Sequence, residues 1–152
     1  MALKHLEGKW YIIESTLKFW KNPSRSLPSI TYTVNSGKFL DEICFLENGQ
    51  ECTIKAYDHF VDKSKLEFAH QLKGWRGLFK TKWRVEYFAT DHSWAIISFE
   101  KSVFDTAGLE IISRSPNLSD ELLHEIHSKI QDRGYLKSYI PRLENLVSHS
   151  KH

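Results

Sequence analysis

From residue 10 to residue 114 the chain alternates short apolar stretches with turns. Residues 10–16 (Trp10, Tyr11, Ile12, Ile13, Glu14, Ser15, Thr16) are aromatic and β-branched, the composition of a strand. Residues 21–29, with Pro23 and Pro28 among serines, break any period and read as a loop. Residues 30–34 are strand-like again and stop at Asn35-Ser36-Gly37. Residues 39–46 and 50–57 flank Asn48-Gly49, a strong hairpin signal. Residues 66–72 form another strand, and the glycine-bounded segment 74–77 separates it from 78–88. Asp91-His92-Ser93 turns the chain into 94–99, and residues 105–108 turn it into 109–114. Eight short strands with turns at near-regular spacing predict an antiparallel sandwich or barrel.

One strand displays its two faces. Phe79, Thr81, Trp83, Val85 and Tyr87 alternate with Lys80, Lys82, Arg84 and Glu86. A period of two places these sets on opposite sides, so the aromatic set is read as inner and the charged set as wet. Beyond Ser115-Pro116 the period changes. Ser119 suits a helix N-cap, Asp120 and Glu121 suit the first turn, and Leu122, Leu123, Ile126 and Ile130 form one apolar stripe before Gly134. This predicts a helix over about 119–133 packed outside the strands. Residues 135–141 are expected to lie along the barrel and 144–152 to be a disordered tail. The whole chain, 1–152, reads as one domain, with its β part over about 8–115.

Composition narrows the class. Of 152 residues, 41% are hydrophobic and 26% charged, an ordinary globular balance. A net charge of +2 gives no reason to expect nucleic acid as a partner. Five tryptophans suit a packed β core or an apolar pocket. No apolar run approaches the roughly 18 residues of a spanning helix. The first residues lack a secretion signal's apolar stretch, so the chain reads as cytoplasmic as written, or as extracellular or periplasmic if Met1 heads a processed mature chain.

Other chemistries find little support. Cys44 and Cys52 are too few for a disulfide framework, and a two-residue turn at Asn48-Gly49 pairs Cys44 with Thr53 and sends the thiols to opposite faces. His124 and His127 are three apart, not the four that bring both imidazoles to one metal, and read as helix surface. The basic stripe Lys73, Arg76, Lys80, Lys82, Arg84 is read as a solvated face, with a weak anionic-membrane contact as the alternative. No phosphate loop, nucleophile elbow or paired-carboxylate motif occurs.

Three blocks, in order, resemble the lipocalins. Gly8-Lys9-Trp10 resembles the G-x-W signature of the first strand. Ala89-Thr90-Asp91 followed by Trp94-Ala95-Ile96-Ile97 resembles the T-D-x-x-Y-A block, with Trp94 for the usual Tyr and a gap one residue shorter. Residues 112–116, with Arg114, resemble the last-strand block. Residues 111–141 look most like the apolipoprotein D, bilin-binding and bacterial lipocalin branch. The resemblance spans residues 8 to about 143. It implies an all-β, eight-stranded antiparallel up-and-down barrel with one C-terminal α-helix packed outside. It also implies a structural closure from Gly8, Trp10, Asp91 and Arg114, in which the guanidinium crosses the indole.

An eight-stranded barrel leaves room for one small ligand. Parity from Trp10 points Ile12 and Glu14 inward, and parity along 78–88 adds Trp83, Val85 and Tyr87. The resemblance adds Phe68, His70, Ala95, Ile97 and Phe99, while parity with Arg114 adds Glu110 and Ile112. Trp20 and Phe104 are either gate residues or loop residues packed for structural reasons. The lipocalin branch carries an aromatic where Glu110 stands. An inward carboxylate is costly unless paired. Glu110 therefore meets a cationic or hydrogen-bonding ligand, or His70, unless it is solvated at the rim or the register is off by one.

Three functions are compatible with this reading. The first is a carrier or scavenger of a small hydrophobic ligand, such as a lipid, fatty acid, retinoid or tetrapyrrole, needing no obligatory cofactor and acting as a monomer or weak dimer. The second is an isomerase-type enzyme drawing on Glu14, Glu110 and His70. The third is an interaction module whose barrel is filled by its own side chains.

Overall fold

A computed structural model of the chain describes residues 2–35, 38–62, 66–72, 80–101 and 106–149. The expected turn at 36–37, the loop at 74–77 with Trp75, and Phe104 lie outside the described residues, as do the side chains of His70, Lys80 and Thr81. A short helix α1 (Ala2–Leu6) precedes β1 (Gly8–Ser15) and a 3-10 turn (Lys18–Lys21). Then come β2 (Arg25–Asn35), β3 (Lys38–Glu47), β4 (Gln50–Asp62), β5 (Glu67–Leu72), β6 (Lys80–Phe88), β7 (Trp94–Phe99) and β8 (Gly108–Ser113). The chain ends in α2 (Asp120–Asp132), a 3-10 turn (Lys137–Arg142), β9 (Glu144–Asn145) and α3 (Leu146–His149).

Every strand from β1 to β8 pairs antiparallel with its sequence neighbour, and β1 also pairs with β8, which closes the sheet into an up-and-down barrel. Closure matters physically because it removes the exposed edges of an open sheet. β1 manages it by splitting its partners. Gly8 to Tyr11 pair with β2, Tyr11 to Ser15 pair with β8, and β9 takes the place beside Glu14 and Ser15 that β2 has left.

Alternation divides the apolar residues into two cores. One fills the barrel and includes Trp10, Ile12, Ile30, Tyr32, Phe39, Phe68, Trp83, Ile97 and Ile112. The other lies between the outer face and α2, where Ile13, Trp94, Ile96 and Ile111 meet Ile126 and Ile130. Ser119 caps α2, its hydroxyl accepting from the Leu122 amide at 3.1 Å. The Asn48-Gly49 turn has positive φ at both residues (53° and 81°), as a type I′ hairpin requires. It fixes Cys44 opposite Thr53, and the two cysteines are not bonded to each other.

Three expectations need correction. The loop read over 21–29 is shorter, because β2 begins at Arg25 and accommodates Leu27-Pro28 in a register shift with Leu27 at φ 52°. Arg25 anchors that start, stacking on Phe19 at 3.9 Å and pairing with Glu47 at 3.3 Å. Residues 144–149, read as part of a disordered tail, form β9 and α3, and Leu146 is buried. The helix surface read at His127 is not simply solvated, since His127 Nε2 lies 2.6 Å from Glu14 Oε1.

Candidate ligand-binding lumen

The closed end of the barrel is built around Trp10. Its indole Nε1 donates to the Leu6 carbonyl at 2.8 Å, which ties α1 across the floor. The Arg114 guanidinium lies 3.7 Å from the ring centroid and donates to the carbonyls of His5 (2.7 Å), Glu7 (2.7 Å) and Lys9 (2.9 Å). Gly8 has φ +98°, and a Cβ there would sit 3.0 Å from the guanidinium, so both conformation and space favour glycine. Asp91 closes the adjacent turn by accepting from the Ser93 amide and hydroxyl, bonds that hold its carboxyl below the ordinary aspartate value.

Above this floor the inner wall is aromatic. Tyr32, Phe39, Phe68 and Trp83 stack with ring centroids 4.3–5.6 Å apart. At the other end, where β1 and β3 finish, Phe19, Trp20 and Phe45 meet edge to face at 4.8–5.4 Å. Offset and edge-on contacts of this kind are the favourable geometries for ring quadrupoles, each adding about 0.5–1.5 kcal/mol to burial. Trp20 is held there by Glu110, whose Oε2 accepts from the indole Nε1 at 3.1 Å and from Ser15 Oγ at 2.8 Å. Glu110 thus faces inward and is met by side chains of its own chain.

The structure sorts the residues read from sequence as follows. Ile12, Trp20, Phe68, Trp83, Val85, Ile97, Phe99 and Ile112 belong to the interior cluster. Glu14 and Tyr87 do not. Between Ile12 and Glu14 the β1–β8 register shifts, so Ile13 is an extra residue and Glu14 turns outward beneath α2, where His127 meets it. Ser15 takes the inward place instead. A second shift between Val85 and Tyr87 does the same in β6. Tyr87 then stacks outside on Trp94 at 5.3 Å, and Phe88 turns inward against Trp10. A carboxylate and a tyrosine expected to line the lumen are therefore surface-side residues, because one bulge in each strand inverts the parity beyond it.

Several inward residues escaped the sequence reading, among them the wall rings Tyr32, Phe39 and Phe45 and two acids. Asp41 and Asp58 are each 2% exposed, on the inner faces of β3 and β4. Asp58 accepts from Trp83 Nε1 at 3.0 Å. Parity was the available signal: Phe39, Asp41, Ile43 and Phe45 alternate without interruption, so Asp41 shares the face of its apolar neighbours. Tyr32, paired with Asp41 across β2–β3, has its phenol pKa pushed well up, first by burial and then by the charges of Asp41, Asp58 and Glu110.

A separate cleft of about 210 Å³ opens outside the barrel, between β6, β7 and the segment around Tyr135. Its floor is Glu86, which accepts from Arg84 Nε at 2.5 Å, Ser98 Oγ at 2.8 Å and the Tyr135 hydroxyl. Among the described residues no group of three or more His, Cys, Asp or Glu is placed to hold a metal ion, and no helix is long and apolar enough to cross a membrane.

A closed eight-stranded antiparallel barrel with a tryptophan floor, an arginine across it and an external C-terminal helix defines a lipocalin-type architecture. The Lipocalin-like domain family matches residues 1–145, and the chain belongs to that family. Solved structures agree on the fold. Insecticyanin from the tobacco hornworm Manduca sexta superposes with a TM-score of 0.71 at 16% identity, over 95% of this chain and 79% of that one. Lobster apocrustacyanin A1 gives 0.69 at 14%, over 93% and 77%. The possum milk whey lipocalin trichosurin, solved with bound 4-ethylphenol, gives 0.60 at 15%, over 94% and 96%. No curated protein matches the chain in sequence.

Proposed function

We propose that the barrel binds a compact hydrophobic molecule in its lumen, as a carrier or scavenger. The observation that carries this reading is the composition of the inner wall: stacked aromatic faces, with polar groups confined to a few fixed positions. Such a lining gains free energy by removing ligand area from water and uses its few polar groups for orientation. Burying about 200 Å² of a small aromatic guest contributes about 5 kcal/mol at about 25 cal/mol per Å². The bound 4-ethylphenol of trichosurin, a ring of this size, supports the same reading. A guest of the lipid, fatty acid, retinoid or tetrapyrrole class would meet the Phe19–Trp20–Phe45 triad at the end of the barrel opposite the Trp10 floor.

The same stack of buried rings favours a second reading, an interaction module with a self-filled barrel. The isomerase reading loses one of its three candidate groups, because Glu14 faces α2. Titrating 4-ethylphenol and larger lipophilic probes against tryptophan emission separates carrier from module. The carrier predicts saturable quenching that is diminished in Trp20→Phe and Trp83→Phe. Unchanged emission and unchanged thermal stability with every probe would establish the filled module.

A further inference from the structure

We propose that His5 and His92 form a proton-sensitive catch that holds α1 over the closed end of the barrel and loosens as the solution turns acid.

The two imidazoles lie face to face, with ring centroids 3.7 Å apart and planes 6° from parallel. They come from separate elements. His5 lies in α1, next to the Leu6 carbonyl that accepts from the Trp10 indole, and its own carbonyl accepts from Arg114. His92 is the left-handed residue of the turn between β6 and β7, at φ 59°. That turn is firmly held. The His92 amide donates to the Ala89 carbonyl at 2.9 Å, Asp91 accepts from the Ser93 amide and hydroxyl, and the His92 ring meets Phe88 edge on at 5.6 Å. One ring is therefore fixed by a turn, and the other rides on a five-residue helix too short to persist without its contacts. Repulsion between the rings is relieved by moving α1.

Unprotonated, the rings pack as flat aromatic faces. Protonated together, they set like charges face to face at stacking distance, which disfavours the second charge. The charged groups around the pair are Lys4, the exposed Glu7 and the amino terminus on the α1 side, Asp91 in the turn, Lys9 on β1, and Arg114 on β8. The His5 imidazole is held below its ordinary value of 6.5, first by partial burial, then by the charges of His92, Lys4 and the amino terminus. With α1 detached the rings part and His5 returns to its ordinary value. The detached state thus binds the proton more readily. Docking of α1 is complete above pH 6.5 and weakens as pH falls below it toward the lower docked value.

The Trp10 indole N–H reports the catch, because it donates to Leu6 of α1. Its hydrogen-exchange protection, corrected for the intrinsic pH dependence of exchange, should fall about threefold or more between about pH 7.5 and about pH 5.5. The Ile96 and Ile111 amides, paired beneath α2, should keep theirs. In an NMR titration the His5 ring should show a midpoint below 6.5. His5→Gln and His92→Asn should each remove the fall in Trp10 protection, and His92→Asn should return the His5 midpoint toward 6.5. Asparagine suits the left-handed turn position, and His5→Gln leaves that turn untouched, so it keeps the test open if His92→Asn does not fold. A His5 midpoint at or above 6.5, Trp10 protection indifferent to pH, or a fall that survives in both variants would overturn the proposal. An equal loss of protection at Ile96 and Ile111 would mean global acid unfolding and would overturn it as well.

Discussion

Replacing Arg114 with Ala is expected to destabilise the barrel by about 3 kcal/mol. Three contributions are lost together. The cation–π contact with Trp10, 3.7 Å away and partly open to solvent, is worth about 0.5–1 kcal/mol. The hydrogen bond to the His5 carbonyl, at a part-buried site, adds about 1–1.5 kcal/mol. The bonds to Glu7 and Lys9 are solvent-exposed and contribute about 0.5 kcal/mol each, since water replaces the donor. With a urea m-value of about 2 kcal/mol per M, the unfolding midpoint should fall by about 1.5 M. Arg114→Lys should recover less than half of this, because an ammonium cannot fork to three carbonyls while lying flat on an indole. A change below about 0.5 kcal/mol for Arg114→Ala would refute the idea that the guanidinium locks α1 and β1 onto the floor.

Other expectations follow from the same contacts. Gly8→Ala should cost about 1–3 kcal/mol, measured by the same urea unfolding, because φ +98° is strained for an L-residue and the new Cβ presses on Arg114. His127→Ala should destabilise by about 1–3 kcal/mol by leaving the largely buried Glu14 carboxylate without its 2.6 Å partner, whereas His124→Ala, at an exposed position, should change little. Glu86 supplies a pH signature. Burial pushes its carboxyl up, but hydrogen bonds from Tyr135, Ser98 and Arg84, with the Arg84 charge, more than offset this and leave it below the ordinary value of 4.5. The unfolded chain therefore binds the proton more readily, so this stabilisation is complete above pH 4.5 and is lost as pH falls through the lower folded value. Urea midpoints across that acid range should fall less steeply for Glu86→Gln than for the parent. Equal slopes would contradict the assignment.

Much of the fold is legible in the sequence, for identifiable reasons. Strand alternation and turn residues at 48–49 and 91–93 specify the meander, and the change from period two to the α2 stripe marks where strands give way to helix. Closure is less visible, since it depends on β1 dividing its length among β8, β2 and β9. The interior is legible only as far as parity holds. From Trp10 it reaches Ile12 and fails at the extra Ile13; from Trp83 it reaches Val85 and fails at the extra Glu86. Neither bulge carries a glycine or proline to announce it. Glu14 finds a histidine one hundred and thirteen residues away, and Glu86 a tyrosine forty-nine away, relations no local pattern contains. Asp41 illustrates the opposite failure, since its alternation was intact but an acid among apolar residues did not suggest an inner wall.

Isoleucine methyl NMR tests the central claim most directly, because the strands deal isoleucines to both sides of the same wall. Ile12, Ile97 and Ile112 face the lumen, while Ile13, Ile96 and Ile111 lie beneath α2. On titration with 4-ethylphenol the first set should shift saturably and the second should stay in place. Shifts confined to the second set, or methyls of both sets unmoved at saturating probe, would contradict a guest-binding barrel.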